Sequence, residues 1–313
     1  MLLEEIWNWL IGEWFVNLFD RLVAEALSGQ EYLAPLQIVV EKELLHHDIL
    51  REMSTAGLLK ELTFIRGTCL RACYGSNRLS EDLDFTGGLN FTKDGLKDLA
   101  AVLTERLKVK YDLAIEVSEP IKETGNVDTW KLKVTTHPQQ PNLPWQRIHI
   151  DVCSVPSYDR QPMILRNHYG VDMGTSGLII QAQSMDEILA DKMVAFALRP
   201  NRIKNRDIWD IGWLKQQNVK LPLHLIWLKI ADRHWAPQDF REALTQRVKL
   251  LREDSGVHRD FIHEIERFLP PKVVTETVKK DGFWTFLTTL IDREASAILN
   301  NKENQGADNV FRM

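Results

Sequence analysis

The chain has 313 residues, of which 44% are hydrophobic and 27% are charged, and its formal net charge is −5. This composition predicts one large globular domain or two, and it excludes collagen-like and wholly disordered chains. Because the whole chain is acidic, any nucleic-acid binding must come from a local basic patch. The three cysteines, Cys69, Cys73 and Cys153, cannot form a complete set of disulfides, which favours a reducing cytoplasm.

The first part of the chain predicts an amphipathic helix over 3–27, because tryptophans and other apolar residues recur at spacings of three and four. Acidic residues interrupt this segment, so we expect neither a secretory signal nor a membrane span there. We therefore expect a cytoplasmic protein. A second helix is predicted after Pro35. Its neighbouring His46 and His47 point about 100° apart, which makes them a poor metal pair, and we expect them at the surface or its boundary.

From residue 62 the pattern changes to short strands that alternate with helices. The predicted elements of this region are, in chain order, a strand over 62–66, a helix over 68–74, a strand over 82–85, a helix over 93–108, and strands centred on Ile115, Leu132 and Ile150. The last three show period-two alternation of apolar and polar residues, which is typical of half-buried strands. This region predicts one small mixed sheet with helices packed against it.

After residue 156 the pattern predicts a linker over 157–183 and then helices to about residue 298. Ser184 and Glu187 match a capping box, so the first of these helices is expected to begin near residue 185. The predicted fold class is therefore α/β (α+β), with an all-helical C-terminal part. The predicted domains are N-terminal helices packed on the core (1–60), an α/β core (61–156), a helical domain (157–299) and a flexible tail (300–313).

The most informative motif is the pair Asp82 and Asp84, which strand periodicity places on one face of a strand. Two neighbouring carboxylates repel each other, and a cation such as Mg²⁺ removes that repulsion. Asp151 faces away from the apolar side of its own strand and is a candidate third carboxylate. Each of the three could also be an ordinary exposed strand residue, but together they match the ligands of a two-metal phosphoryl or nucleotidyl transfer.

Upstream of this pair, Gly67 and Thr68 are expected at a strand-to-helix turn that can receive a phosphate. The separation between Thr68 and Asp82 leaves room for a short helix and a returning loop, so the turn and the carboxylates can meet. The alternative is that Gly67 serves only as a turn.

A second segment forms a basic island in this acidic chain. Its charged members are Lys192, Arg199, Arg202, Lys204 and Arg206, with Asp207 as the acidic residue at its end. Such an island suits a triphosphate or an RNA backbone, although a charge run can also be a solvated helix face. Lys192 is expected to reach into a cleft as a point charge for phosphate. Asp207 would either orient Lys192 or pair with Arg206.

At these two segments the sequence resembles the AbiEii/AbiGii family of toxin nucleotidyltransferases, which includes the MenT toxins. The matching residues are Gly67, Thr68, Tyr74, Arg78, Ser80, Asp82 and Asp84 in the first segment, and Ala190, Lys192, Arg206, Asp207 and Asp210 in the second. The resemblance spans about residues 35–215 in order and spacing. It implies a polymerase-β-like nucleotidyltransferase core with a helical C-terminal domain.

The resemblance also implies Mg²⁺, a nucleoside triphosphate and, for some members, transfer of nucleotides to the 3′ end of tRNA. The implied partner is an antitoxin encoded beside the toxin, often with a DNA-binding domain. By position, Asp82 and Asp84 would hold the metal, Lys192 would bind triphosphate, and Asp207 would support the site. Gly67, Thr68, Arg78 and Ser80 would belong to the nucleotide site. Ser80 also matches a serine that can be a target of antitoxin-dependent phosphorylation.

The chain departs from the family pattern at one position, where Arg66 replaces the first of two glycines. This change would either narrow the phosphate turn or add a phosphate contact. Two alternatives to an RNA acceptor are open at the level of the sequence. One is transfer to a small molecule or a protein side chain, and the other is a catalytically silent module that binds RNA or a partner.

Overall fold

The computed structural model describes residues 17–121, 125–139 and 145–301. Most of the helix predicted over 3–27 and nearly all of the tail predicted over 300–313 lie outside the described residues. The described part of that segment forms α1, Leu18–Ser28, and the extended Asn17 caps it by accepting a hydrogen bond from the backbone N–H of Asp20. The prediction of one unbroken helix over 3–27 is therefore wrong, because residue 17 is not helical. It buries Phe19, which packs edge to face against the ring of Tyr111.

The centre of the fold is a seven-stranded mixed sheet with the order β3-β4-β5-β2-β1-β7-β6. The strands are β1 Thr63–Phe64, β2 Leu83–Thr86, β3 Ile115–Ser118, β4 Val127–Val134, β5 Gln146–Cys153, β6 Arg160–Ile164 and β7 Ile179–Gln183. The pairs β2–β5 and β1–β7 are parallel, and the other neighbours are antiparallel. The predicted α/β fold with a mixed sheet is confirmed.

The alternation of β2 and β5 separates a buried face from a polar face. Leu83, Phe85, Ile148 and Ile150 are almost fully buried on the apolar face. Their neighbours in sequence point to the other face because successive side chains of a strand alternate. The polar face of these two strands therefore carries the carboxylates that the sequence singled out.

The linker predicted over 157–183 is wrong, because this segment contributes β6 and β7 to the same sheet. Phe64 of β1 pairs in parallel with Ala182 of β7, so the sheet receives strands from both sides of residue 156. These strands are short, and β6 contains Pro162, which lacks a backbone donor and is tolerated in an edge strand. Turn-forming residues around both strands hide the alternation that predicts a strand.

Helices cover the sheet and form most of the remaining regular structure of the described chain. After α1 they are α2 Gln37–Thr55, α3 Arg66–Cys69, α4 Leu99–Tyr111, α5 Met185–Leu198, α6 Asn205–Gln216, α7 Leu223–Asp232, α8 Pro237–Glu253, α9 Ser255–Ile265, α10 Pro271–Val273 and α11 Phe283–Asn300. A π-helical turn, Leu70–Tyr74, continues α3. From residue 184 to residue 301 the described chain contains no strand, as predicted. Within this part α5 packs against α6, α7 and α8.

The helix α2 lies inside the molecule rather than on its surface. It buries side chains around most of its circumference, so the prediction that His46 and His47 lie at the surface or its boundary is wrong. His46 Nε2 lies 3.0 Å from the carbonyl oxygen of Glu81, and His47 Nδ1 lies 2.8 Å from the Thr175 hydroxyl. Burial lowers the pKa of His47 to about 4, which keeps this imidazole neutral near pH 7.

Candidate active site

A cleft of about 310 Å³ lies where the polar face of β2 and β5 meets α5 and the start of α6. The predicted site residues that line it are Gly67, Arg78, Ser80, Asp82, Asp84, Asp151, Lys192 and Asp207. Two segments that are more than 100 residues apart in the sequence thus share one cavity. Thr68 does not line this cleft; it is almost fully buried beside it.

The three carboxylates come from neighbouring strands. Asp84 of β2 and Asp151 of β5 are direct partners in the parallel register. Asp82 immediately precedes β2, and its Oδ1 accepts a hydrogen bond from the His149 backbone N–H at 3.0 Å. Burial raises the pKa of Asp151, and the negative charges of Asp84 and Asp82 raise it further. This end of the cleft therefore favours a bound cation.

Arg66 supplies a cation to these carboxylates within the chain itself. Its Nη1 donates to Asp84 Oδ1 at 2.6 Å, and the charge of Asp84 raises the pKa of Arg66. The backbone of Arg66 is left-handed, with φ 63°. This is a conformation that glycine adopts readily and that costs other residues energy.

The turn that follows Arg66 contacts the backbone of Asp82 and the side chain of Arg78. A Cβ atom on Gly67 would lie 2.3 Å from Nη2 of Arg78, so a larger residue would have to displace this nitrogen from Asp210. The Thr68 hydroxyl donates to the carbonyl oxygen of Asp82, and it lies 2.5 Å from the Ser80 hydroxyl. Because Thr68 has one hydroxyl proton, Ser80 is the donor between the two hydroxyls. Modification of Ser80 would therefore require this buried hydrogen bond to break.

Arg78 and Lys192 are joined by carboxylates of α6. Arg78 makes a two-pronged contact with Asp210, with Nε to Oδ1 at 2.7 Å and Nη2 to Oδ2 at 2.9 Å. Lys192 Nζ lies 2.6 Å from Asp207 Oδ1 and 2.7 Å from Asp210 Oδ2. Burial opposes the charge of Lys192, but the two carboxylates outweigh it and raise the pKa of the lysine. Burial likewise opposes the charge of Asp207, yet the cations around it, Lys192 foremost, hold its pKa well below the usual range.

These contacts decide between the two sequence interpretations of Asp207. It holds Lys192, and it also accepts from Arg199 at 3.1 Å. Arg206 instead pairs with Glu81 and Glu264. Asp210 was part of the matched signature but was not predicted as a site residue. The signal was present, since Asp207 and Asp210 are one helical turn apart and must share a face of α6.

Lys204 is a further cleft residue, which belongs to the basic island but is not among the predicted site residues. In the described part of the chain its ammonium group has no hydrogen bond or ion pair. Burial lowers the pKa of Lys204 to about 8, with smaller effects of Lys192, Arg206 and Arg199 in the same direction and of Asp207 in the opposite one. The cleft thus holds a lysine that an incoming anion can pair with, whereas Lys192 already has two carboxylate partners, which it shares with Arg78 and Arg199.

Among the described residues, no three His, Cys, Asp or Glu side chains are arranged to hold a metal ion by themselves. Mg²⁺ rarely needs such a set, because it is usually held by one or two carboxylates together with substrate phosphates and water. Carboxylate oxygens of the right kind come from Asp82, Asp84 and Asp151. A bound cation would also stabilise the charged form of Asp151, which burial and the neighbouring carboxylates disfavour. The residues of the cleft therefore fit a divalent cation that arrives with a nucleotide.

Comparison with known proteins gives the family and the fold of the chain. The model of the AbiEii family, nucleotidyl transferase toxins of type IV toxin–antitoxin systems, matches residues 48–290. No curated protein sequence matches the chain. The chain is similar to the solved structure of MenT4, a nucleotidyltransferase toxin from Mycobacterium tuberculosis H37Rv. The alignment covers 92% of this chain and 96% of the MenT4 chain, with 17% identity and a TM-score of 0.57. The alignment with the solved structure of JHP933 from Helicobacter pylori covers 87% of this chain and 99% of the JHP933 chain, with 17% identity and a TM-score of 0.44.

The fold and the family match together define a nucleotidyltransferase. The chain belongs to the AbiEii family of nucleotidyl transferase toxins from type IV toxin–antitoxin systems, as its two motif segments predicted. The family match extends about 75 residues beyond the end of the predicted resemblance. No helix in the described residues is both long and apolar enough to cross a membrane.

Proposed function

We propose that this toxin transfers a nucleoside monophosphate from a nucleoside triphosphate to an RNA acceptor, and that the acceptor is the 3′ end of a tRNA. The observation that carries this proposal is the single cleft in which Asp82, Asp84 and Asp151 meet Lys192 and Lys204. Carboxylates at one end suit a divalent cation, and lysines at the other suit a triphosphate.

Each residue has a separate part in this proposal. Asp82, Asp84 and Asp151 would hold Mg²⁺, which neutralises the triphosphate and lowers the pKa of the attacking hydroxyl. Lys204 and Lys192 would bind the phosphates, with Asp207 and Asp210 fixing the direction of Lys192. Gly67 would keep the turn open beside Arg78, and Thr68 with Ser80 would hold the backbone of Asp82.

The proposed reaction is a displacement at the α-phosphorus of the nucleotide. The oxygen of the acceptor hydroxyl forms a bond to the α-phosphorus while the bond from that phosphorus to the pyrophosphate oxygen breaks. The hydroxyl proton passes to solvent, and pyrophosphate leaves with its charge matched by the lysines. The protein's contribution is positioning and electrostatic stabilisation, which are the main sources of catalysis in phosphoryl transfer.

An RNA acceptor is supported by the surface next to the cleft. A groove of about 520 Å³ adjoins it, and Arg206 lines both cavities. The groove also carries the exposed Arg202 and Arg267 together with four carboxylates, so its arginines, and not a net positive charge, are what it offers to RNA. Arginine is suited to phosphate and to base edges. We infer further that the cognate antitoxin carries a DNA-binding domain and that the protein acts in the cytoplasm on soluble tRNA.

A labelling experiment tests the proposal. The purified protein is incubated with Mg²⁺, each α-labelled nucleoside triphosphate in turn, and total tRNA. We expect label on tRNA with one or a few nucleotides, and no label on tRNA whose 3′-terminal ribose has been oxidised by periodate, because that treatment removes the acceptor hydroxyl. Label on oxidised tRNA would contradict transfer to the 3′ end. Label only on small hydroxyl compounds or on protein would contradict an RNA acceptor.

A further inference from the structure

Arg66 combines two features that are rarely found together. Its backbone lies in the left-handed region, at φ 63°, where a non-glycine residue is strained. Its side chain nevertheless reaches the carboxylate end of the cleft, and 44% of it is exposed. Strain at such a position persists only when the surrounding contacts maintain it. Here the Arg66 carbonyl oxygen accepts from the Leu70 backbone N–H, and the side chain makes the ion pair with Asp84.

The ion pair occupies a carboxylate that nucleotidyl transfer would need. Arg66 Nη1 lies 2.6 Å from Asp84 Oδ1, and Asp84 is the direct cross-strand partner of Asp151. A guanidinium and a divalent cation are alternative counter-charges for the same carboxylate, because two cations held beside it repel each other. Arg66 therefore competes with a cation for Asp84 when the cleft contains no nucleotide.

A nucleotide offers Arg66 a different partner in the same cleft. Guanidinium groups pair strongly with phosphate oxygens, and often through two parallel hydrogen bonds. The exposed fraction of the Arg66 side chain leaves it free to turn from Asp84 towards such a ligand. The pairing of Arg66 with a triphosphate would release Asp84 at the moment a cation is needed there.

We propose that Arg66 is an internal counter-cation that makes the binding of divalent cation and nucleoside triphosphate to this cleft mutually dependent. In the free protein it neutralises Asp84 and weakens cation binding. With a triphosphate present it pairs with phosphate oxygens and leaves Asp84 available. This role rests on the proposed function, since it assumes that the cleft takes a cation and a triphosphate together, but it concerns binding alone and requires no transfer.

The left-handed backbone makes this proposal testable without loss of the fold. Arg66→Gly removes the guanidinium and suits φ 63°, so the variant is expected to fold at least as well as the parent. Arg66→Gln removes the charge while retaining a side chain in the strained conformation. Asp112→Gly is the matched backbone control, since Asp112 is exposed, has φ 53° and does not line the cleft.

The measurement is the affinity for Mn²⁺, as a probe for Mg²⁺, by titration of the full chain with and without a non-hydrolysable triphosphate. We expect Arg66→Gly and Arg66→Gln to bind Mn²⁺ alone about three- to fivefold more tightly than the parent, the scale of a partly exposed ion pair. We expect them to bind the triphosphate less tightly in the presence of metal. The factor by which the triphosphate tightens Mn²⁺ binding should be smaller in both Arg66 variants than in the parent. In Asp112→Gly this factor should be unchanged.

The outcomes separate this proposal from the proposed function. Parent protein that binds Mn²⁺ and triphosphate, with both Arg66 variants showing the same affinities and the same mutual dependence, would overturn the role of Arg66 and leave the proposed function standing. Parent protein that binds neither ligand would overturn both. Tighter Mn²⁺ binding in Arg66→Gly but not in Arg66→Gln would assign the effect to the backbone and also overturn the counter-cation.

Discussion

At the scale of single residues, the cleft contains two lysines with opposite properties. Lys192 is held between Asp207 and Asp210, whose charges raise its pKa. Lys204 has no such partner among the described residues, and burial lowers its pKa to about 8. The first is suited to a fixed structural charge near the phosphates, and the second to a charge that a ligand stabilises on arrival.

This difference predicts the pH dependence of nucleotide binding. Below about pH 8 Lys204 is protonated and would bind phosphate, and above that pH it loses its proton in the free protein. The dissociation constant for a nucleoside triphosphate is therefore expected to be about tenfold higher at pH 9 than at pH 7. The phosphate itself does not cause this change, because its second pKa is near 6.

The control for this prediction is Lys204→Arg, measured by calorimetric titration over the same pH range. Arginine stays charged, so the variant should bind with little dependence on pH between 7 and 9. A flat profile in the parent protein, or an equally steep profile in Lys204→Arg, would show that Lys204 is not the group responsible.

Single residues were predicted best where the chemistry is local. Strand periodicity was enough to place Asp82 and Asp84 near each other and to orient Asp151 towards them. It could not predict that Arg66 pairs with Asp84, or that Arg78 pairs with Asp210, since these partners depend on a turn and on a helix distant in sequence. Long-range ion pairs are set by packing and leave no periodic signal.

At the scale of elements, Glu187 connects α5 to parts of the molecule beyond it. Ser184 Oγ accepts from the Glu187 backbone N–H, so the predicted helix start is confirmed. The Glu187 carboxylate does not return to Ser184 to complete a capping box. It accepts from the backbone N–H groups of Tyr158 and Asp159, and from Lys229 Nζ of α7 at 2.7 Å.

This arrangement predicts a large loss of stability from one substitution. Glu187→Ala removes a fully buried carboxylate and leaves the buried Lys229 with Asp191 as its remaining carboxylate partner. Because Lys229 keeps Asp191, the loss is smaller than that for a fully unpaired buried charge, and we expect about 2–3 kcal/mol in the free energy of unfolding. Urea denaturation followed by circular dichroism measures this value.

Glu253→Ala is the matched control, because Glu253 is exposed and its nearest ion-pair partner, Lys249, is 3.9 Å away on the protein surface. Exposed pairs of this kind contribute about 0.3–0.5 kcal/mol. A similar small loss in both variants would contradict the structural role of Glu187. It would also imply that the segment between β5 and β6 is held by other contacts.

At the scale of the whole molecule, the sheet extends further along the chain than its sequence predicts. The strands with strong alternation, β4 and β5, were predicted from their patterns alone. The short strands β6 and β7 were not, because most of their stability comes from pairing with a sheet already present. The segment after β5 therefore completes the sheet before the helical part of the chain begins.

The extended sheet has a consequence for the site. Gln183 is the last residue of β7, Ser184 is the N-cap of α5, and Lys192 lies two turns further along that helix. The pairing of β7 with β1 therefore places α5 next to the turn that carries Arg66 and Gly67. The two motif segments meet in one cleft because a strand that the sequence does not reveal joins them.

The central claim is that this cleft carries out nucleotidyl transfer, and single-turnover kinetics of Asp82→Asn test it most directly. The substitution keeps the size of the side chain and removes one of the three carboxylate charges. The rate of label transfer from triphosphate to tRNA is compared with that of Asp94→Asn, which changes an exposed aspartate away from the cleft. We predict a loss of at least about a hundredfold for Asp82→Asn, with unchanged folding, and none for Asp94→Asn. Equal transfer rates in the two variants would contradict the account.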